Sequence, residues 1–142
     1  TTEIYTLSLH DALPISDGLL LHGIGGWQNC LHSKCTILPV PLFRDRIPVV
    51  VDELTTLCGP GELIDVVVTE RGIAINPLRT DLLDKMRHSS LPIVRMEDLK
   101  AEVDAICGQP DKAHISDKDE DTIAIIKWVD GTVIDTVRKV LD

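Results

Sequence analysis

Hydrophobic positions along this chain fall into short runs separated by glycine, proline and charge. Residues 17–22, 35–40 and 47–51 are apolar and rich in branched side chains. Residues 63–69 and 72–76 repeat the pattern, with Arg71-Gly72 as a tight bend between them. Continuous apolar runs of this length suit strands buried on both faces of a sheet. Residues 91–94 predict one more short strand. Elsewhere the period lengthens to that of a helix. Thr80 is placed to cap a helix over 81–87, with Leu82, Leu83 and Met86 toward the core. From Met96 to Cys107, the residues Met96, Leu99, Val103 and Ile106 recur at three- and four-residue steps, and Gly108 and Pro110 supply a stop. Residues 111–121 are polar and charged and read as a solvated linker. Residues 123–129 and 132–138 flank Asp130-Gly131, which predicts a hairpin closed by a two-residue turn. Strands alternating with helices specify an α/β fold, and no internal repeat is present.

Composition narrows the function classes. The 142 residues suffice for one domain of modest size, and a hydrophobic share of 44% argues for a packed core. Fourteen Lys and Arg against 23 Asp and Glu leave a net charge of −9. Nucleic-acid binding is disfavoured, because phosphate contacts need a basic face. No apolar run has the length of a bilayer span, so no membrane association is expected. Four cysteines without a secretory signal suggest reduced thiols in a cytoplasmic setting. Cys30, His32, Cys35 and Cys58 have spacings a zinc ion could tolerate, yet no Cys-x-x-Cys knuckle is present. Buried thiols are the expectation, and no metal site is assigned. His88 and His114 read as surface loop residues.

The opening residues stand apart. Residues 1–16 resemble an in-frame translation of a short-read sequencing adapter, so no domain is assigned there and the domain is placed at 17–142. The natural gene is expected to continue upstream.

Three groups of residues carry candidate chemistry. Gly23-Ile24-Gly25-Gly26 follows the strand at 17–22. Glycines there let successive N–H groups approach a phosphate or a developing oxyanion; the alternative is a plain tight turn. A dinucleotide site is the weaker reading, given the Gly-x-Gly-Gly spacing, the lack of a clean helix directly after it and the lack of an acidic residue closing a following strand. Arg44 and Arg46 bracket Asp45 just before the run at 47–51, and two guanidinium groups at a strand mouth can bind carboxylates or phosphates. The alternative is a solvated turn with a local Arg–Asp pair. Glu70 lies at the carboxyl end of the run at 63–69, where ligands gather in open α/β sheets, or it is simply a surface-turn residue. Glu53 and Glu62 are weaker candidates, and no catalytic nucleophile is identified.

Several ordered segments carry a family resemblance. They are His22-Gly23-Ile24-Gly25-Gly26-Trp27-Gln28-Asn29, Phe43-Arg44-Asp45-Arg46-Ile47-Pro48-Val49-Val50-Val51, Thr55-Thr56-Leu57-Cys58-Gly59-Pro60-Gly61-Glu62 and Val66-Val67-Val68-Thr69-Glu70-Arg71-Gly72-Ile73-Ala74-Ile75-Asn76-Pro77. Together they resemble the C-terminal part of the citrate lyase α subunit, a citrate CoA-transferase. The resemblance implies a CoA-transferase-like three-layer α/β fold, present in part as a C-terminal half-domain ending in a β-hairpin. It implies exchange of the acyl-carrier thioester from acetate to citrate, with a truncated domain serving only association, or a CoA-transferase for another carboxylic acid, as alternatives. Gly23, Gly25 and Gly26 would then lie near the thioester carbonyl. Related enzymes often carry a polar or acidic residue after the glycines, and here that place is taken by Gln28 or Asn29. Arg44, Arg46 and Glu70 would complete the binding residues. The implied partners are a lyase β subunit and an acyl carrier γ subunit. No cofactor is expected on this chain, which would act on the carrier's CoA-like arm or on CoA thioesters.

Overall fold

Four short strands make the central sheet of the computed structural model, which describes residues 30–44, 47–52, 54, 56, 57, 59–108 and 114–141. The strands are β1 (Ile37–Pro39), β4 (Val66–Val68), β5 (Ile73–Ile75) and β6 (Ile93–Val94), in that spatial order. The pairs β1–β4 and β5–β6 are parallel, and β4–β5 is antiparallel. A two-stranded ribbon, β2 (Phe43–Arg44) with β3 (Ile47–Pro48), follows β1 and replaces the longer strand expected at 47–51.

The register explains the core. Leu38, Val67, Ala74 and Val94 are successive partners across the sheet, so they form one row on one face. That row joins the cluster holding Leu42, Val50 and Ile64, and helix α2 (Met96–Cys107) adds Met96, Leu99 and Val103 to it. Leu99 and Val103 are essentially inaccessible, as the helical period predicts. Ile106 departs from that pattern: it is 58% exposed, so the expected apolar stripe stops one turn early. Asp98, in the first turn, accepts the backbone N–H of the N-cap residue Arg95 at 3.3 Å, and the helix ends at Gly108. The alternate residues of the sheet are mostly half-buried, and Ile37 is exposed. Among the described residues, then, the better covered face is the one under α2.

Helix α1 (Thr80–Met86) differs from its expected form. Its N-cap is Arg79, Thr80 is the first helical residue, and no side-chain cap bond is made. Leu82 and Met86 are half-buried, whereas Leu83 is exposed. The β4–β5 bend is tight because of Gly72. A Cβ placed there would lie 2.5 Å from Val94 Cγ2, so the turn and β6 approach closer than any side chain permits.

The C-terminal hairpin pairs β7 (Thr122–Lys127) with β8 (Val133–Arg138). Its turn is one residue longer than expected. Gly131 N–H donates to the Trp128 carbonyl at 2.9 Å, and Trp128 N–H donates to the Thr132 carbonyl at 2.8 Å. These bonds enclose Val129, Asp130 and Gly131. Gly131 at φ 88° takes the left-handed position that such a three-residue loop requires. The described part of the expected linker is also more structured than its polarity suggested. Ile115 bridges Val140, and Ser116 is buried, with its hydroxyl on Asp121.

Candidate functional site

The strand ends that β1 and β4 share form the region where sequence-predicted residues meet described structure. Val40 N–H donates to the Val68 carbonyl at 2.9 Å, extending the parallel pairing by one residue. The chain then turns at Pro41-Leu42 into the β2–β3 ribbon, while β4 turns at 69–72 into β5. The side chain of Thr69 organises its own turn: its Oγ accepts N–H bonds from Arg71 and Gly72, each at 3.1 Å. Glu70 sits on that turn and reaches across to the other chain segment. Leu42 N–H donates to both carboxylate oxygens, at 3.2 Å to Oε1 and 3.1 Å to Oε2. Leu42 is wholly buried, so its amide needs a protein acceptor, and Glu70 supplies it. The Leu42 carbonyl in turn accepts Val49 N–H at 2.9 Å. Arg71 pairs with Glu102 of α2 at 3.3 Å, a surface contact of small energetic weight.

Of the residues predicted to bind ligand, Glu70 is thus placed beside the ribbon that carries Arg44. Gly23, Gly25, Gly26, Gln28, Asn29 and Arg46 lie outside the described residues, as do Glu53 and Cys58. Glu62 is exposed on a short 3-10 turn, and His88 and His114 are exposed as expected. Cys35 is exposed and Cys30 half-buried, contrary to the expected burial. Among the described residues no group of three His, Cys, Asp or Glu side chains could hold a metal ion.

The opposite end of the sheet holds a network that sequence reasoning missed. Asp65 is buried, and its Oδ2 accepts Thr36 N–H at 2.6 Å. Its Oδ1 lies 2.6 Å from Arg79 Nη1. Arg79 also grips Asp81 through Nε at 2.8 Å and Nη2 at 2.9 Å, and it donates to the Lys34 carbonyl at 3.2 Å. The bond to Arg79 is the main reason the Asp81 carboxyl falls from 3.8 to about 2. The two carboxylates raise Arg79 further above its already high value, with Asp81 contributing most. Asn76 completes the network, donating to the Ile64 carbonyl at 2.9 Å and accepting Leu78 N–H at 3.0 Å. A charge inside the apolar run Leu63-Ile64-Asp65-Val66 was the available signal, since a buried carboxylate requires partners.

Comparison with known proteins adds the context. The family described as citrate lyase, alpha subunit (CitF), matches residues 2–140. The chain belongs to the citrate lyase α subunit family. It is 36% identical over 126 residues to the citrate lyase alpha chain of Klebsiella pneumoniae, covering 88% of this chain and 24% of that protein. It is 34% identical over 139 residues to the citrate lyase alpha chain of Escherichia coli K12, covering 97% of this chain and 27% of that protein. A solved structure, described as the alpha subunit of citrate lyase from Streptococcus mutans in complex with citrate, superposes with a TM-score of 0.81 at 39% identity. That match covers 89% of this chain and 24% of the other. The chain therefore spans about a quarter of the length of the citrate lyase α relatives it matches. Its mixed sheet and few helices are those of a portion of such a subunit.

Proposed function

We propose that this chain is the C-terminal part of a citrate CoA-transferase, with its domain at 17–142. The observation that carries the reading is the likeness, at 39% identity and a TM-score of 0.81, to an α subunit described with citrate bound. The reaction is thioester exchange: acetyl-carrier and citrate give citryl-carrier and free acetate. Only groups that act more strongly on the transition state than on the bound substrate accelerate this step. Gly23, Gly25 and Gly26 supply backbone N–H groups to the thioester oxygen as negative charge develops on it. Gln28 or Asn29 adds a side-chain hydrogen bond. Arg44 and Arg46 pair with carboxylates of citrate or phosphates of the carrier arm, fixing the acceptor before exchange. A three-layer sandwich, in which a further layer covers the sheet face away from α2, is supported by the half-buried apolar residues of that face.

The subunit works with a lyase β subunit and an acyl carrier γ subunit in the cytoplasm, and it binds no cofactor of its own. Among the described residues no helix is long and apolar enough to cross a membrane. The chain's quarter-length span favours a second reading for the isolated polypeptide, that of a domain capable of association but not of exchange. Acetyl-carrier:citrate exchange, measured for this chain and for the complete subunit, tests both. Exchange is expected from the complete subunit and not from the isolated chain. A complete subunit that binds acyl carrier without exchanging citrate overturns the transferase reading, and turnover of a different carboxylic acid reassigns the acceptor.

A further inference from the structure

We infer that Glu70 is a positioning residue: its carboxylate fixes the base of the β2–β3 ribbon and thereby holds the strand on which Arg44, read above as an anion-binding residue, is carried. This rests on the anion-binding reading of Arg44 given above. Three observations carry it. First, Leu42 is the pivot between the sheet and the ribbon. Its N–H is held by Glu70 on one side and its carbonyl by Val49 N–H on the other. Second, Arg44 is only two residues beyond that pivot and pairs with Ile47 in the ribbon. A shift at Leu42 therefore displaces the strand that bears Arg44. Third, the acceptor is mounted on a rigid support. Thr69 Oγ braces the turn with two N–H bonds, and the turn packs so close to β6 that no Cβ fits at Gly72.

The chemistry of this contact separates it from a direct role. Both Glu70 oxygens are engaged by one buried amide, and a neutral carbonyl can accept the same bond. A residue that binds a cationic ligand or takes up a proton needs its carboxylate, whereas a positioning acceptor does not. Glu70→Gln should therefore preserve the function that Glu70→Ala removes.

The first experiment reads the contact itself, by amide hydrogen exchange in this chain. In Glu70→Ala the Leu42 amide is expected to exchange at least about tenfold faster, because its buried donor loses its acceptor. Glu70→Gln should stay within about threefold of the parent. The Asn76 amide, which donates to the Asp65 carbonyl at the far end of the sheet, should be unchanged in both variants and reports that the fold is intact. The second experiment uses the complete subunit that carries this segment. Glu70→Ala should raise the KM for citrate about tenfold with kcat little changed, and Glu70→Gln should restore it. Unaltered Leu42 exchange in Glu70→Ala, or a Glu70→Gln variant as impaired as Glu70→Ala, overturns the inference. An Arg44→Ala subunit with an unchanged citrate KM would instead overturn the anion-binding reading beneath it, leaving the exchange result to stand for the Glu70–Leu42 contact alone.

Discussion

The two ends of the sheet solve the same problem in different ways. At each end a carboxylate accepts a backbone N–H from a neighbouring segment: Asp65 from Thr36, and Glu70 from Leu42. Asp65 is buried and enclosed by Arg79, which is itself fastened to Asp81 and to the Lys34 carbonyl. Glu70 is exposed and stands on the bend without such a guanidinium brace among the contacts described. The first arrangement locks β1 to β4 and the start of α1. The second ties the turn after β4 to the start of the ribbon through a single buried amide. An ion-pair network and a lone carboxylate contact thus stand at opposite ends of one small sheet.

The contrast can be broken at its shared support or at either end. Leu99→Ala removes a fully buried side chain of α2 beneath both ends and should destabilise the chain by about 2–5 kcal/mol in urea unfolding. Asp65→Ala strands the Thr36 amide and uncouples Arg79, and a loss of about 3 kcal/mol is expected by the same measurement. Asp65→Asn, which keeps an acceptor for Thr36, should recover part of that loss. If Asp65→Ala costs no more than Glu70→Ala, the asymmetry between the ends is refuted. The smallest effect concerns pH. Asp81 has a carboxyl lowered to about 2, so its contribution is fully present above its ordinary value of 3.8 and fades as pH falls through about 2. An NMR titration of Asp81 should show that depressed midpoint, and Arg79→Lys, which loses the two-pronged grip, should move it back toward 3.8.

The sequence made some of this visible and hid the rest for physical reasons. Met96–Cys107 was predicted to its ends because a long amphipathic period and a glycine stop are both local signals. Ile106 escaped the prediction because periodicity cannot tell how far the sheet beneath a helix extends. The strands are shorter than their apolar runs because a ladder forms only where neighbours overlap, and β5 overlaps β4 at three residues. The hairpin was legible from Asp130-Gly131, but whether the glycine closes a two- or three-residue loop depends on how the flanking strands register. Asp65 and Arg79 were missed because a pair 14 residues apart leaves no periodic trace. Glu70 was singled out for its place at a strand end, yet its acceptor role toward Leu42 depends on a contact 28 residues distant. The family resemblance held across the chain, while most of the glycine turn and arginine residues it highlighted lie outside the described residues.

Gly72 pressed against Val94 has a consequence for how this protein can vary. A residue with a Cβ at this bend would push Val94, and β6 with it, away from its place beside β5. Exchange of this glycine is therefore expected only alongside a compensating change at Val94.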